Sequence, residues 1–329
     1  MTLDSGRLKV AILMMQRDET SLLPVFLGYH ESLFGSSSLH VFDNGSTDPG
    51  VIAELKASEG RGVKVYWDHS TPKDFEEKGY LFASYIQHLD RVDPHDFYLP
   101  MDCDEFIACV TGDGVSLDRA EIDHALMAFR GSPSTLRISH KYWANPLHRN
   151  HYRTITWSPK CFFATGACES LDHGYHHGVS RHSAPDQITP IVYYELHYKT
   201  YLLHRRLSEA KLAPFLTDYS RRSLRQFHAR KYHNHHCAED LLMSKYDYLS
   251  LFSPDQYPIV NPDFLRKLQD LGFDDHLLFE PVPVVGIGPW LAWLKFRRTL
   301  VDLQATVQEL LEDCRGLLVR TARRLFSSL

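Results

Sequence analysis

The chain has 329 residues, with 36 Lys and Arg against 41 Asp and Glu, so its formal net charge is −5. A mildly acidic chain lacks the basic surface of nucleic-acid-binding proteins, and no nucleic acid is expected as a partner. Hydrophobic residues make up 43% and charged residues 23% of the sequence, which excludes global disorder and a coiled coil. The 20 histidines are unusually many and direct attention to metal binding and proton transfer.

The amino-terminal residues bear on the cellular location. Residues 1–9 contain no apolar stretch followed by a small-residue cleavage site, and Val10–Met15 is too short to span a bilayer. A cytoplasmic protein is therefore expected. No CxxC pair occurs, so free thiols are expected rather than a zinc ribbon, for all six cysteines: Cys103, Cys109, Cys161, Cys168, Cys237 and Cys314.

The first hundred residues alternate between strand and helix patterns. The apolar run Leu8–Met15 predicts a strand buried on both faces, and Ser21–Phe34 has helical spacing that ends at a glycine. Leu39–Phe42 predicts a second strand, Val51–Ser58 a helix and Val63–Trp67 a third strand. This βαβαβ order predicts a doubly wound sheet with right-handed crossovers.

Further along, the pattern changes from alternating elements to strands and then to helices. A helix over Glu76–Val92 leads into the strand Phe97–Met101, and strands with period-two alternation follow between Leu136 and Trp157 and over Ile191–Tyr198. Helical stretches are predicted over Leu203–Thr217, Ser220–Tyr232 and Trp290–Leu329, with a linker over Pro281–Pro289. The resulting domain prediction is an α/β domain over 1–215, a mostly helical or irregular region over 216–288 and an amphipathic helical segment over 289–329.

Three polar clusters follow predicted strands: Arg17–Glu19, Asp43–Asp48 and Asp102–Asp104. Ligands of open α/β sheets bind at the carboxyl ends of the strands, so these clusters are candidate site residues. Asp102 and Asp104 would repel each other unless a cation or several donors lay between them, and Mg²⁺ takes carboxylate together with phosphate oxygens. The other interpretation, an acidic turn in which one aspartate caps a following helix, is about equally favoured by the D-x-D pattern alone.

The order of the motifs is more specific than any one of them. The ordered motifs lie in MMQRDETSLLPVFLGYHESLFGSSSLHVFDNGSTD, followed by FYLPMDCDEF. In these two stretches the chain resembles glycosyltransferase family 2 enzymes of the GT-A fold, in the subgroup with "DNGSTD" and "D.DEF" motifs. The resemblance covers residues 8–110 and continues more thinly to about residue 212. It implies an α/β GT-A fold, a mixed sheet flanked by helices, here followed by a C-terminal helical extension.

The resemblance also implies which residues bind the nucleotide sugar. Asp43, with Asn44 beside it, matches the acid that contacts the base, and Glu19 matches a residue near the ribose. Arg17 stands where the subgroup usually has lysine, and Asp18 adds a negative charge where it usually has asparagine, which leaves the detailed nucleotide contacts open.

The metal and diphosphate contacts are implied in the same way. Asp102 would face both the ribose and a Mn²⁺ or Mg²⁺ ion, and Asp104 would bind that ion. GT-A enzymes often add a later histidine to the metal shell; His176 matches it, and His197 is a further candidate ligand. Lys160, or Lys199 after the 191–198 strand, is the candidate partner of the diphosphate.

Thirteen of the 20 histidines lie between residues 140 and 236, which marks this half as the expected acceptor side. Family 2 enzymes are mostly inverting, and inversion needs a general base for the acceptor hydroxyl. The candidate carboxylates in this half are Glu169, Asp172 and Glu195, with Asp172 favoured because it lies nearest to His176. Glu195 lies either on the wall of a site or on a solvent-facing strand, and the sequence does not decide between them. The cluster at 233–237 (HNHHC) is too tightly spaced for a tetrahedral zinc site.

The C-terminal segment 290–329 is apolar at helical spacing and carries several Arg and Lys. Two interpretations stay open: a peripheral contact with the anionic inner face of a membrane, or a helix that packs on protein.

The predicted function is a metal-dependent, inverting glycosyltransferase that uses a nucleotide sugar, with UDP-sugars favoured, and a glycan or lipid-linked acceptor. One alternative is a nucleotidyltransferase, although Met14–Glu19 contains no glycine for a phosphate-binding loop. The other is a catalytically inactive relative that binds a glycan or a nucleotide.

Overall fold

The computed structural model describes residues 7–231, 234–281, 287–300 and 303. These residues form two compact units. The first contains the chain up to Lys199 together with Pro254–Phe279, and the second contains Thr200–Ser253 and the described residues from Glu280 onward. The boundaries predicted at residues 215 and 288 stay predictions, whereas the chain passes between the units after residues 199, 253 and 279.

All the strands among the described residues belong to the first unit. They are β1 (Val10–Gln16), β2 (Leu39–Asp43), β3 (Lys64–Tyr66), β4 (Phe97–Met101), β5 (Glu105–Thr111), β6 (Gly114–Ser116), β7 (Ser134–Arg137), β8 (His140–Ala144), β9 (His151–Ile155), β10 (Cys161–Ala164), β11 (Cys168–Leu171), β12 (Gly178–Ser180), β13 (Ala184–Ile188), β14 (Ile191–Glu195) and β15 (Ile259–Val260).

Helices occur in both units. The first unit contains α1 (Leu23–Phe34), α2 (Pro49–Arg61), α3 (Pro72–Glu76), α4 (Lys78–Val92), α5 (Arg119–Met127) and α10 (Pro262–Asp270). The second contains α6 (Tyr201–Leu212), α7 (Arg221–Ala229), α8 (His235–Leu242), α9 (Lys245–Ser250) and a helix over 287–300. Short 3₁₀ turns lie at Ser36–Ser38, Pro254–Gln256 and Asp275–Leu277.

The larger sheet of the first unit has seven strands in the order β13-β7-β10-β4-β1-β2-β3. Strand β1 runs parallel to β2 and β4, and every one of its residues is buried, as its apolar run predicts. Strand β10 is antiparallel to β4 and β7, which makes the sheet mixed. The predicted α/β class, a mixed sheet flanked by helices, is therefore confirmed, as are the four strands predicted before residue 102.

A second sheet of six strands, in the order β15-β9-β8-β14-β5-β6, continues the first unit. The chain enters it from β4 through the turn at Asp102–Asp104, because β5 begins at Glu105. Within this sheet, Glu195 of β14 lies opposite both Glu105 of β5 and Trp143 of β8. Three residues from distant parts of the chain thus stand in register across three neighbouring strands.

The core of the first unit includes histidines as well as apolar residues. His30 and His40 are fully buried, and burial lowers the pKa of each to about 3, so both are neutral at physiological pH. The five described cysteines are buried free thiols, as predicted, whereas Cys314 lies outside the described residues.

The second unit has its own small apolar core, formed by Leu212, Leu224, Phe227, Cys237, Ala238 and Leu241. The predicted helices at 203–217 and 220–232 correspond to α6 and α7. Of the 233–237 cluster, His233 lies outside the described residues, as does most of the predicted C-terminal helix beyond residue 300. Among the described residues, no helix combines the length and the apolar character needed to cross a bilayer.

Candidate active site

The turn between β4 and β5 is built by its own acidic residues. The backbone N–H of Asp102 donates to the Glu105 carboxylate at 2.9 Å, and the Glu105 N–H donates to the carbonyl of Asp102 at 3.0 Å. A strand follows this turn, so the interpretation in which an aspartate caps a following helix is excluded. Burial, together with the charges of Asp102 and Glu195, raises the pKa of Glu105 to about 8, against the opposing effect of Lys160.

Two buried lysines hold the Asp102 carboxylate. Lys78 Nζ lies 2.8 Å from Oδ1 and Lys160 Nζ lies 2.5 Å from Oδ2. The lysine side chains are 6% and 3% exposed, whereas that of Asp102 is 34% exposed. Burial raises the pKa of Asp102, but the two ammonium groups outweigh burial and hold it well below its usual range. Asp102 is therefore an ionised carboxylate that two buried lysines hold in place and that is still partly exposed to solvent.

Tyr175 supports these lysines and was not singled out from the sequence. Its ring centroid lies 4.7 Å from Lys78 Nζ and 5.0 Å from Lys160 Nζ, within the range of cation–π attraction. Its backbone adopts a left-handed φ of 59°, and its carbonyl accepts the N–H of Cys161 at 2.7 Å. The sequence signals for this turn are the glycine at position 174 that precedes it and His176, the candidate metal ligand that follows Tyr175.

Helix α4 approaches the same loop at its first turn. A Cβ placed on Gly79 would lie 2.2 Å from the carbonyl oxygen of Asp172, so only glycine fits there. This close approach places Lys78, the first residue of the helix, beside the acidic turn.

The structure uses the Asp172 carboxylate to close the loop that contains His176. Oδ1 of Asp172 accepts the N–H of His177 at 2.9 Å, and Arg137 Nη1 donates to the carbonyl of His176 at 2.8 Å. Burial, helped by the charges of Lys160 and Lys141, lowers the pKa of His176 to about 4, so its ring is neutral at physiological pH. Its Nδ1 is buried and has no hydrogen-bond partner among the described residues.

Asp104 anchors the segment that follows β14. Its carbonyl accepts the N–H of Leu196 at 2.9 Å, and its carboxylate lies 3.7 Å from Lys199 Nζ. Lys199 Nζ also donates to the carbonyl of Leu196 at 2.8 Å. These contacts bring residues 196–199 to the acidic turn, and His197 with them.

Glu195 is buried, which excludes the solvent-facing strand considered for it. Its carboxylate lies 2.7 Å from Lys141 Nζ, accepts Trp143 Nε1–H at 2.8 Å and lies 3.2 Å from His197 Nδ1. Burial raises its pKa, but the hydrogen bond to His197 and the charge of Lys141 outweigh burial and hold it far below the ordinary value. Glu195 is thus an ionised acceptor that three donors surround.

Aromatic rings surround the same histidine. His197 stacks on Trp143 with ring centroids 4.4 Å apart and planes at 7°, and Tyr198 meets both rings edge-on. The Trp157 ring meets Trp143 edge-on with ring centroids 5.8 Å apart, and Trp157 is 53% exposed. We refer to Trp143, Trp157, His197 and Tyr198 as the aromatic patch.

The predicted nucleotide contacts lie at the carboxyl ends of β1 and β2. Asp43 is buried and accepts hydrogen bonds from Gln16 Nε2 at 2.6 Å and from the Ser46 N–H at 2.9 Å, while Asn44 Nδ2 donates to His69 O and Thr71 O. Both side chains therefore shape the DNGSTD loop, and a contact with a base stays a prediction.

The preceding loop brings the other predicted nucleotide contacts to this edge of the sheet. Asp18 accepts the N–H groups of Thr47 and Asp48 at 2.7 and 2.8 Å, which ties the first loop to the second. Arg17 is exposed and Glu19 half-buried beside this contact. Their nucleotide contacts also stay predictions.

The four predicted metal ligands do not form a ready-made coordination shell. Among the described residues, the only three side chains with ligand atoms within 4.8 Å of one another belong to Asp274, Asp275 and His276, and Asp275 is already paired with Arg149. Both oxygens of Asp102 face ammonium groups, and His197 Nδ1 faces Glu195. The metal-binding role of Asp102, Asp104, His176 and His197 therefore stays a prediction from the sequence resemblance.

No protein-family model and no curated protein sequence matches the chain. Solved structures with weak similarity include S. aureus TarS, at 15% identity over 62% of this chain and 40% of that one with a TM-score of 0.33. A structure of TarS 1-349 matches at 14% identity over 62% and 65%, with a TM-score of 0.34. A cytidylyltransferase from Leptospira borgpetersenii matches at 14% identity over 48% and 61%, with a TM-score of 0.26. This chain spans less than two thirds of each of these structures.

Proposed function

We propose that the chain is a glycosyltransferase that transfers a sugar from a nucleoside diphosphate sugar, with inversion, to a glycan or lipid-linked acceptor. The observation that supports this best is the turn at Asp102–Asp104. It presents an ionised, lysine-held carboxylate at the same edge of the sheet as the DNGSTD loop. Such a carboxylate accepts hydrogen bonds from ribose hydroxyls, and the edge is where open α/β sheets bind ligands.

Positive charge close to the turn favours a diphosphate group. Lys78, Lys160 and Lys199 place three ammonium groups within 4 Å of the carboxylates of Asp102 and Asp104. A departing nucleoside diphosphate gains negative charge in the transition state, and fixed ammonium groups stabilise that charge. A requirement for Mn²⁺ or Mg²⁺ stays a prediction from the sequence resemblance.

Nucleotide release tests the proposal. We expect the wild-type protein to release nucleotide from at least one of UDP-glucose, UDP-galactose, UDP-N-acetylglucosamine, GDP-mannose and dTDP-glucose, with p-nitrophenyl glycosides or water as acceptor. Each donor is assayed with Mn²⁺, with Mg²⁺ and with EDTA, and loss of turnover in EDTA supports the metal requirement.

Two variants locate the activity at the turn. Asp102→Asn and Asp104→Asn should each lower kcat/KM at least about 100-fold, because each removes a fixed charge from the reacting centre. Asp113→Asn, in an exposed turn, is the control and should keep wild-type activity. Full activity in both Asn variants contradicts the proposal. Release of pyrophosphate from a nucleoside triphosphate and a sugar phosphate favours the nucleotidyltransferase alternative instead, and nucleotide binding without turnover favours an inactive relative.

The helix over 287–300 favours a peripheral membrane contact. One face packs within the second unit, where Arg298 lies 2.5 Å from Asp247 and Lys245 lies over the Trp290 ring at 5.1 Å. The opposite face exposes Trp293 and Phe296 at 53% and 63%. Leu300 and Leu303 extend this apolar stripe, with Lys295 and Arg297 beside it. An exposed apolar stripe with basic neighbours matches helices that lie on anionic bilayers.

A further inference from the structure

His197 faces a buried carboxylate and is partly exposed to solvent. Its Nδ1 is directed to the buried Glu195 carboxylate at 3.2 Å, and its ring is fixed against Trp143 at 4.4 Å. Its side chain is nevertheless 38% exposed. Building on the proposed function, we propose that His197 Nε2 is the general base for the acceptor hydroxyl, with Glu195 as its positioning residue and the aromatic patch as the acceptor subsite.

The three contacts of Glu195 explain how the imidazole is oriented. A carboxylate that accepts the Nδ1–H of a histidine fixes the tautomer in which Nε2 carries the free lone pair, and it stabilises the imidazolium that forms. Lys141 and Trp143 hold the same carboxylate in place. Because Glu195 is ionised and almost fully buried, it acts through His197 rather than on the acceptor itself.

The other two carboxylates predicted as bases, Asp172 and Glu169, are not arranged to accept the proton of an acceptor. Oδ1 of Asp172 closes the 172–177 loop by accepting the His177 N–H. The Glu169 side chain is 58% exposed, and its ion pair with Arg181 spans 3.9 Å, too long for a hydrogen bond that would orient it. Of the described side chains between residues 140 and 236, His197 is oriented by a buried carboxylate and is also accessible to solvent.

The aromatic patch suits a carbohydrate ring. The faces of aromatic rings carry partial negative charge and attract the weakly positive C–H groups on one side of a pyranose. Trp157 is half exposed next to Trp143, and Arg153 lies 5.7 Å from its ring, where it can hydrogen-bond ring hydroxyls. An acceptor sugar stacked on Trp157 would therefore lie next to Trp143, the ring on which His197 stacks.

The proton and the electron pairs balance in a single displacement. The acceptor oxygen forms a bond to the anomeric carbon of the donor while the bond from that carbon to the diphosphate oxygen breaks. The hydroxyl proton moves to His197 Nε2, and the electron pair of the broken bond leaves with the nucleoside diphosphate. The imidazolium then returns its proton to solvent, so the net products are the glycoside, the nucleoside diphosphate and one proton.

Replacement of His197 tests the proposal with the donor and acceptor that the wild-type protein turns over fastest. His197→Phe keeps a ring on Trp143 but removes the base, and kcat should fall at least about 100-fold while the donor KM stays within threefold. In His197→Ala, added imidazole should restore part of kcat. His182→Phe, on an exposed turn, is the control and should keep wild-type kcat.

A double variant separates positioning from structural support. Glu195→Gln should lower kcat in the wild-type background but cause no further loss in the His197→Phe background, because it acts only through the imidazole. Additive losses contradict the positioning role. Trp157→Ala should raise the acceptor KM and leave the donor KM unchanged, and an unchanged acceptor KM contradicts the subsite.

The outcomes distinguish this inference from the proposed function. An active wild-type protein whose His197→Phe variant keeps kcat within threefold contradicts the assignment of the base and leaves the glycosyltransferase intact. A wild-type protein that neither binds nor turns over any of the five nucleotide sugars contradicts the glycosyltransferase itself, and the base assignment falls with it.

Discussion

The two units of the chain differ most in how they use charge. The first contains 20 Lys and Arg against 31 Asp and Glu, a net charge of −11, and the second contains 16 against 10, a net charge of +6. In the first unit, buried lysines neutralise the acids that matter for the site, with side chains of Lys141, Lys160 and Lys78 only 3% to 8% exposed. In the second, the basic residues of α7 are mostly exposed.

Buried charges and exposed charges have different physical effects. Buried charges hold side chains in fixed positions and strengthen the electrostatic effects that catalysis needs, whereas exposed charges act over a distance on a large anionic partner. The near-neutral total of −5 hides both properties, because the opposite charges of the two units largely cancel.

The largest expected effect compares a buried lysine of the first unit with a half-buried lysine of the second. Lys160→Met leaves Asp102 with one ammonium partner instead of two, and leaves Glu105 without its ammonium neighbour, so we expect a loss of about 3–5 kcal/mol in the free energy of unfolding. Lys245 pairs with Glu280 in the second unit at 2.8 Å but is 32% exposed, and Lys245→Met should cost about 1 kcal/mol. Urea unfolding measures both, with Lys56→Met on α2 as an exposed control. Equal losses would contradict the contrast between the units.

The next effect concerns acid sensitivity of the first unit. The folded pKa of His30 is lowered by burial from 6.5 to about 3, so below pH 6.5 the unfolded chain binds a proton that the folded chain does not. The stability that the neutral His30 ring gives the folded state is complete above pH 6.5 and is lost as the pH falls toward 3. Between pH 7 and pH 5, the free energy of unfolding should fall by about 2 kcal/mol from this ring alone, at 1.36 kcal/mol per pH unit.

His30→Leu should reduce the loss of stability between pH 7 and pH 5 by that amount, as measured by urea unfolding at each pH. His124→Leu, at an exposed position of α5, should leave the pH dependence unchanged. An unaltered slope in the His30 variant would show that this ring is protonated in the folded protein.

The smallest expected effect tests the surface of the second unit. The full chain should cosediment with vesicles of phosphatidylcholine and phosphatidylglycerol more strongly than with neutral vesicles, and less so as salt rises. Trp293→Ser with Phe296→Ser should weaken this binding on the order of tenfold, because two exposed apolar side chains are removed.

Ile188→Ser is the control for this pair, because Ile188 is 72% exposed on the first unit and should not affect vesicle binding. Unchanged binding in the double variant contradicts a membrane contact. If the same variant instead changes the oligomeric state without lipid, the apolar face packs on another copy of the chain.

Much of the larger sheet could be predicted from the sequence because its signals are local. The run Leu8–Met15 is apolar along its whole length since both faces of β1 are covered, and the acids at 102 and 104 follow β4 directly. The strands of the second sheet were predicted only in part, because β5 follows the acidic turn without a recognisable boundary.

The arrangement around Asp102 and Glu195 could not be predicted in this way. Lys78 and Lys160 lie 24 and 58 residues from Asp102 in sequence, and no periodicity links them. Tyr175 gave no signal, since a tyrosine with left-handed backbone between two lysines is a tertiary feature. His197 was predicted as a candidate metal ligand, but the stacking on Trp143 depends on the parallel pairing of β8 with β14.

The register across β5, β14 and β8 has a consequence for protein engineering. Glu105, Glu195 and Trp143 share one row of the second sheet, whereas Trp157 lies beyond the end of β9 and outside that row. Recombining or randomising residues 156–159 would therefore diversify the proposed acceptor subsite while the backbone that holds Asp102 stays paired. Libraries built there should yield altered acceptor choice without loss of folded protein.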